Sequence, residues 1–486
     1  MALNFPDNPT PGQQYTDPNN LIWEFNGVVW TPITGTVGIS GFSGFSGYSG
    51  YSGTSGYSGI TGISGFSGTS SATISASDEG NLLTSIVSGF NFAGTNVVTT
   101  NVGGAVTVTI EPPIVYNNSA WMWGLNDFLG TPIGLLGDNT AVNKSSPVSV
   151  VGGFTDWCQI ATARRNSMGI RTNGTLWAWG LGDNGALGDN TTVSKSSPVS
   201  VVGGFTDWCQ VSAGRYGGHA VRTNGTLWGW GAGSNGQLGD NTTANKSSPV
   251  SVVGGFTNWC QVSAPGGATY TTLAVRTNGT LYAWGSGYCG QLGDGTTVNK
   301  SSPVSVIGGF TDWSQVSGAY QSLALRQNGT IWGWGRNGRG QLGDNTTNQS
   351  SSPVSVIGGF TDWCQVSAGA IQSVAVRTNG SIWSWGCNSY GQLGDNSTVN
   401  KSSPVSVVGG FTNWCQVSSG SQQSFGLRTN GTAWSWGRAL YGSLGDNSTV
   451  NKSSPVSIAG GFTDWVCLAY PHSGNRNSGA IRSTAT

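Results

Sequence analysis

The sequence predicts an all-β protein: a seven-bladed β-propeller preceded by an elongated Gly-x-y stalk and small β modules. Three observations carry this. First, three markers recur seven times each at a spacing of about 51 residues. Gly-Gly-Phe-Thr begins at 152, 203, 254, 308, 358, 409 and 460, and Leu-Gly-Asp begins at 136, 187, 238, 292, 342, 393 and 444. Trp-x-Trp pairs stand at 121/123, 177/179, 228/230, 332/334, 383/385 and 434/436, with Tyr282/Trp284 as the seventh copy. Second, each copy divides into four short strands, the make-up of a propeller blade. Third, Gly falls at every third position from Gly35 to Ser70, twelve triplets without a break.

Within one copy the expected strands are Trp208–Ser212, Ala220–Arg222, Thr226–Trp230 and Pro249–Val253. Asn224-Gly225 is a hairpin signal between the second and third. The fourth begins at Pro, which suits an outer edge because Pro cannot donate to a ladder. The first copy starts at its third strand (Ser119–Trp123) and the last stops after its second (Ala480–Arg482). Those two halves are expected to pair in one blade and close the ring.

The Val-Arg-Thr-Asn-Gly-Thr-Leu-Trp-x-Trp-Gly run and the Gly-Gln-Leu-Gly of 236–239, 290–293, 340–343 and 391–394 resemble the regulator-of-chromosome-condensation repeat family over roughly residues 114–486. The resemblance implies a seven-bladed propeller. The family also includes a nucleotide-exchange factor for a small GTPase. Its Cys-Gly after the innermost strand is Ala213-Gly214 or similar here, and its following His is mostly Ser (Ser322, Ser373, Ser424). The exchange activity is therefore not carried over.

Residues 35–70 read as the stalk. A strict Gly period marks a crowded axis, as in a collagen-like triple helix. No Pro occurs there and Phe, Tyr or Ile often follows the Gly, so another three-stranded Gly-packed structure fits as well, and a flexible Gly/Ser linker is the plain alternative. Residues 71–113 alternate in a β pattern at Ala105–Ile110 and read as a small trimerising module. Residues 1–34 contain Leu21–Trp30 with Asn26-Gly27 at its centre, a second hairpin signal. The opening Ala2-Leu3-Asn4-Phe5-Pro6, with Gly12-Gln13-Gln14-Tyr15, resembles the N-terminus of phage virion proteins, notably of cyanophages. That resemblance implies an attachment module at 1–34 and a fibre-type virion protein overall.

Composition narrows the function. The 486 residues hold 20 Lys+Arg against 20 Asp+Glu, only 8% charged. Such a balance gives no field to steer nucleic acid or an anionic membrane. No run of 18 apolar residues occurs, so no membrane insertion is expected. The N-terminus has neither a basic region nor an apolar core, so no secretory signal is expected. Glycine at 80 residues and 22 tryptophans indicate tight turns around aromatic-rich strands.

Chemistry is not expected. Nearly every Asp belongs to Leu-Gly-Asp or Phe-Thr-Asp-Trp, and seven-fold repetition marks a turn or cap rather than a catalyst. Asp138, Asp189, Asp240, Asp294, Asp344, Asp395 and Asp446 each stand among neutral neighbours, a poor set for Ca²⁺. Cys158, Cys209, Cys260, Cys364 and Cys415 share a slot that Ser314 and Val466 also fill, so they read as small buried side chains and neither metal ligands nor disulfides. Cys289, Cys387 and Cys467 show no metal-type spacing. His219 and His472 sit in or beside loops without a triad partner. No cofactor, metal site or catalytic residue is assigned, and the chain reads as non-enzymatic.

Variation between copies is more informative. The loop after the first strand and the loop after the third differ in every blade, and antiparallel strands place both on one face of the disc. This variable face supplies the expected receptor-binding residues: Arg164, Arg165, Arg215, Tyr216, Tyr270, Tyr288, Tyr320, Arg336, Arg339, Tyr390, Gln422, Arg438, Tyr441, His472 and Arg476. The chain enters the propeller on the opposite face, which leaves the variable face free to point away from the stalk. The expectation is a homotrimeric phage fibre, made in the host cytoplasm and released by lysis. It is held to other virion proteins through 1–34 and meets a host surface polysaccharide or protein through its head. The alternative is a purely structural capsid or neck fibre.

Overall fold

A computed structural model describes residues 116–485, except 129–130, 265–269 and 472–476, together with short strands between 14 and 110. The expected stalk at 35–70, and His472 and Arg476, lie outside the described residues. The chain forms two compact units, Met1–Gly65 and Phe66–Thr486.

In the first unit Gln14–Thr16, Ile22–Phe25 and Trp30–Ile33 form a three-stranded sheet. Phe25 stands opposite Trp30 in a hairpin pairing, and the expected Asn26-Gly27 turn lies outside the described residues. In the second unit Ala72–Ser75 and Val97–Val102 flank Ala105–Ile110. Val102 opposite Ala105 makes this a hairpin too.

Seven antiparallel blades follow. Blade 2 is typical: Trp208–Gly214, Gly217–Arg222, Leu227–Gly231 and Lys246–Ser251, in that spatial order. Blade 7 closes the ring as expected. Tyr116–Gly124 pairs along its whole length with Asn477–Ala485, and Ala480 faces Trp121. Trp465–Leu468 and Lys144–Ser149 complete that sheet. Among the described residues there is no α-helix.

Two local expectations need correction. Pro249 lies inside the outer strand rather than at its start. The ladder is irregular there: the register shifts between Gly229 and Gly231, and an edge strand at a bulge tolerates the missing donor. The Asn-Gly hairpin is not a two-residue turn. Arg222 N bonds Thr226 O at 3.0 Å, so Thr223-Asn224-Gly225 forms a three-residue connection. Within it Gly225 alone has positive φ, +74°. Asn224 Oδ1 accepts from Thr226 N and Oγ1 at 3.1 and 2.7 Å, the local side-chain turn that Asn favours.

The core lies between blades. The second Trp of each Trp-x-Trp pair is fully buried. Leu273, Val275, Leu281, Ala283 and Leu292 of blade 3 pack with Trp313, Val316, Ala324 and Trp334 of blade 4. The Leu-Gly-Asp glycine explains its repetition here. At Gly239, φ is +69° and a Cβ would lie 2.7 Å from Trp284 Nε1 of the next blade. The same approach recurs at Gly137, Gly188, Gly293, Gly343, Gly394 and Gly445.

Candidate functional site

The axis of the disc is closed by amides. Gln210 on the innermost strand of blade 2 accepts at Oε1 from Val262 N of blade 3 at 2.7 Å. Gln159, Gln261, Gln315, Gln365 and Gln416 make the same bond to the next blade at 2.7 to 2.9 Å. Ser212, Ser263, Ser317 and Ser367 form a second ring, accepting backbone N–H groups at 2.8 to 3.0 Å. Each bond satisfies an N–H that burial would otherwise strand, an effect of about 1–3 kcal/mol. The channel left between them is only ≈ 30 Å³. Cys467 takes the Gln position in blade 7, and that junction is joined instead by Tyr470–Pro471 pairing with Ala161 and Thr162. These Gln and Ser residues were not singled out from the sequence, although their fixed place in Trp-Cys-Gln-Val-Ser was visible.

The invariant face is a repeated structural device. Arg222 Nε donates to Asp207 Oδ1 at 2.8 Å, and its guanidinium lies 4.0 Å from the Phe205 ring centroid. Arg171, Arg276, Arg326, Arg377, Arg428 and Arg482 repeat this against an Asp or Asn and a Phe. The Phe-Thr-Asp-Trp motif is thus a cation–π and ion-pair staple. In the third-to-fourth loops, on the other face, the Leu-Gly-Asp carboxylate closes a turn: Asp240 Oδ1 accepts from Thr242 N and Oγ1 at 3.0 and 2.8 Å. Its surroundings are not neutral, as the sequence reading had it. Lys246 Nζ is 3.6 Å away, and Asp138, Asp294, Asp395 and Asp446 also face a Lys. Among the described residues no His, Cys, Asp or Glu cluster could hold a metal.

The repeated cysteines are half-buried or, at Cys260, exposed, rather than buried. Each is the extra residue of a bulge: Trp208 faces Arg222 while Gln210 faces Val221. The Val221 carbonyl freed by the bulge accepts from Cys209 Sγ at 3.4 Å, and Ser314 Oγ serves Leu325 O likewise at 3.1 Å. Six of the seven blades place such a small donor in the slot, and Val466 fills it in blade 7. Burial pushes the thiols up, Cys158 and Cys364 to about 11, which leaves them protonated and unreactive.

On the variable face the predicted residues gather into three groups. In the first, Arg165 and Arg215 lie 4.5 and 4.9 Å from the Tyr216 ring centroid. The Tyr270 ring is parallel to Tyr216 within 7°, with centroids 6.1 Å apart. In the second, Arg336 lies 5.2 Å from the centroid of Tyr320. Tyr288 stands beside it, its hydroxyl pushed up to about 12 by burial first and by neighbouring Cys289 and Tyr320 next. In the third, Arg438 of blade 6 lies 4.6 Å from Tyr390 of blade 5 and donates to Gln422 Oε1 at 2.6 Å. Arg339 and Tyr441 are exposed, and Arg164 is half-buried. Tyr320 and Tyr390, both on this face, belong to different groups.

One loop assignment changes, and several polar residues at the loop ends prove buried. His219 is buried in the second strand of blade 2, against Trp284. Gln321, Gln372 and Asn166 begin second strands and are buried. Asn126 and Asn388 are buried staples inside the third-to-fourth loops: Asn388 donates to Asp395 Oδ1 at 2.8 Å and accepts from Leu393 N at 2.9 Å.

The model of the regulator of chromosome condensation (RCC1) repeat matches residues 173–221, 224–273, 278–325, 328–376 and 379–427. The chain belongs to the RCC1 repeat family. Each matched unit runs from an Asn-Gly turn to the second strand of the next blade, the phase in which this chain itself enters and leaves the ring. The chain is 27% identical over 365 residues to human E3 ubiquitin-protein ligase HERC2, covering 72% of this chain and 6% of that protein. It is 25% identical over 363 residues to the ultraviolet-B receptor UVR8 of Arabidopsis thaliana, covering 73% and 69%. Among solved structures, yeast RCC1 (Prp20) bound to Kap60 superposes with a TM-score of 0.66 at 18% identity, covering 77% of this chain and 90% of that one. Human WBSCR16 does so at 0.65 and 18%, covering 75% and 100%. These likenesses establish the fold.

Proposed function

We propose that this chain is a phage virion fibre protein, a homotrimer assembled through 35–113, whose propeller head binds a host surface receptor or glycan through its variable face. One observation carries the reading of the head. Residues that repeat seven-fold are bound up in staples, turns and the axis, while unrepeated Arg and Tyr side chains collect in three groups on the variable face. Variable residues on a rigid scaffold are where binding concentrates. The Gly period at 35–70 and the virion-like opening support the stalked, trimeric setting. The low and balanced charge, 20 Lys+Arg against 20 Asp+Glu, speaks against transfer of the Gsp1p and histone binding named for yeast Prp20p. A structural knob remains the second reading, favoured by the way Arg438 is already held by Gln422 and Tyr390.

Binding of the full chain to host cells tests the head. Saturable binding is expected, weakened by changing Tyr320, Arg336 and Tyr390 together to Ala. The loss should be about 1–3 kcal/mol, since a few aromatic and Arg anchors dominate most interfaces. Virions that adsorb equally well without the propeller point to the structural knob. Light scattering tests the trimer: a mass of one 50.1 kDa chain at high concentration contradicts it.

A further inference from the structure

We propose that the Arg165–Arg215–Tyr216–Tyr270 group binds a carboxylate-bearing sugar of an acidic surface polysaccharide. The proposal rests on the reading of the propeller as a receptor-binding head, and names what that head recognises.

Three features separate this group from the other two. It sets two guanidiniums on one tyrosine, whereas Tyr320 and Tyr390 have one each. Arg215 Nε is buried and makes no hydrogen bond, while Arg438 is already bonded to Gln422. A cleft of ≈ 30 Å³ opens beside it, lined by Arg215, Tyr216, His219, Gln237 and Tyr270 among others, and no carboxylate lines it. Asp183 lies near Arg165 and acts on its guanidinium.

The chemistry follows from these features. A buried N–H donor without a partner is costly, and a ligand acceptor relieves it. A guanidinium matches a planar carboxylate in a two-bond fork. The cleft admits a small planar group and not a sugar ring. The ring must then lie across Tyr216 and Tyr270, both half-buried, whose rings offer an apolar body and a polar tip. His219 forms part of the cleft wall and is held neutral by burial, so it adds no positive charge of its own.

Titration calorimetry of the full chain with an oligogalacturonate, against a neutral oligosaccharide of equal length, tests this. Saturable binding of the acidic sugar is expected, weaker in high salt, with the neutral sugar at least about tenfold poorer. Arg215→Ala should lose about tenfold or more. Arg215→Lys, which keeps the charge but not the fork and spares the fold, should lose part of that. Arg336→Ala, in another group, should lose none. Equal binding of both sugars, unchanged binding in both Arg215 variants, or capture of a poly-glutamate peptide in place of the sugar overturns the proposal. A chain that binds host cells but no acidic sugar overturns it and leaves the adhesin reading standing. Binding of the sugar through Arg215 without binding to cells upholds it and sinks that reading.

Discussion

His219 stands where blade 4 has Leu323, and Gly229 stands beside it as Gly333 stands beside Leu323. Its ring is buried, and that burial, only partly offset by the Gln237 backbone, pushes the imidazole down to about 4. An unfolded His titrates near 6.5. A folded-state value below the unfolded one means that the unfolded chain takes the proton first. Stability is then full above pH 6.5 and is lost as pH falls from there to about 4. The full shift corresponds to about 3 kcal/mol. Urea denaturation at pH 7 and pH 4 should show a larger drop for the wild type than for His219→Leu. Equal drops would mean that His219 is not neutral in the fold.

Blades are held to one another by contacts that only glycine permits. Gly239 and Gly255 have nearly the same φ, +69° and +66°. A Cβ on Gly239 meets Trp284 of the next blade, while one on Gly255 has nothing within 4 Å. Gly255→Ala should cost about 1 kcal/mol, the conformational term. Gly239→Ala should cost that plus about 1–3 kcal/mol of overpacking. Chemical denaturation compares them, and equal losses would contradict the inter-blade wedge. The repeated motifs made these elements legible in the sequence, because a turn glycine or a paired tryptophan recurs wherever the backbone needs it. The wedge itself was not legible, since its two halves are some 45 residues apart and belong to different blades. The axial Gln ring was missed for the same reason: Gln210 and the Val262 it serves look locally like ordinary strand residues.

At the scale of the molecule, alternation of antiparallel strands gave the two faces before any side chain was placed. Which loop residues meet was another matter. Tyr216 and Tyr270 stack across a blade junction, and Arg438 reaches back to Tyr390; pairings of that kind depend on loop geometry and not on sequence distance. The central claim is that the variable face does the binding. Hydroxyl-radical footprinting of the full chain on receptor-bearing cells tests it most directly. Protection is expected at Tyr216, Tyr320 and Tyr390, with Phe256 on the opposite face as reactive as in the free chain. Protection at Phe256 with those tyrosines unchanged would contradict the claim.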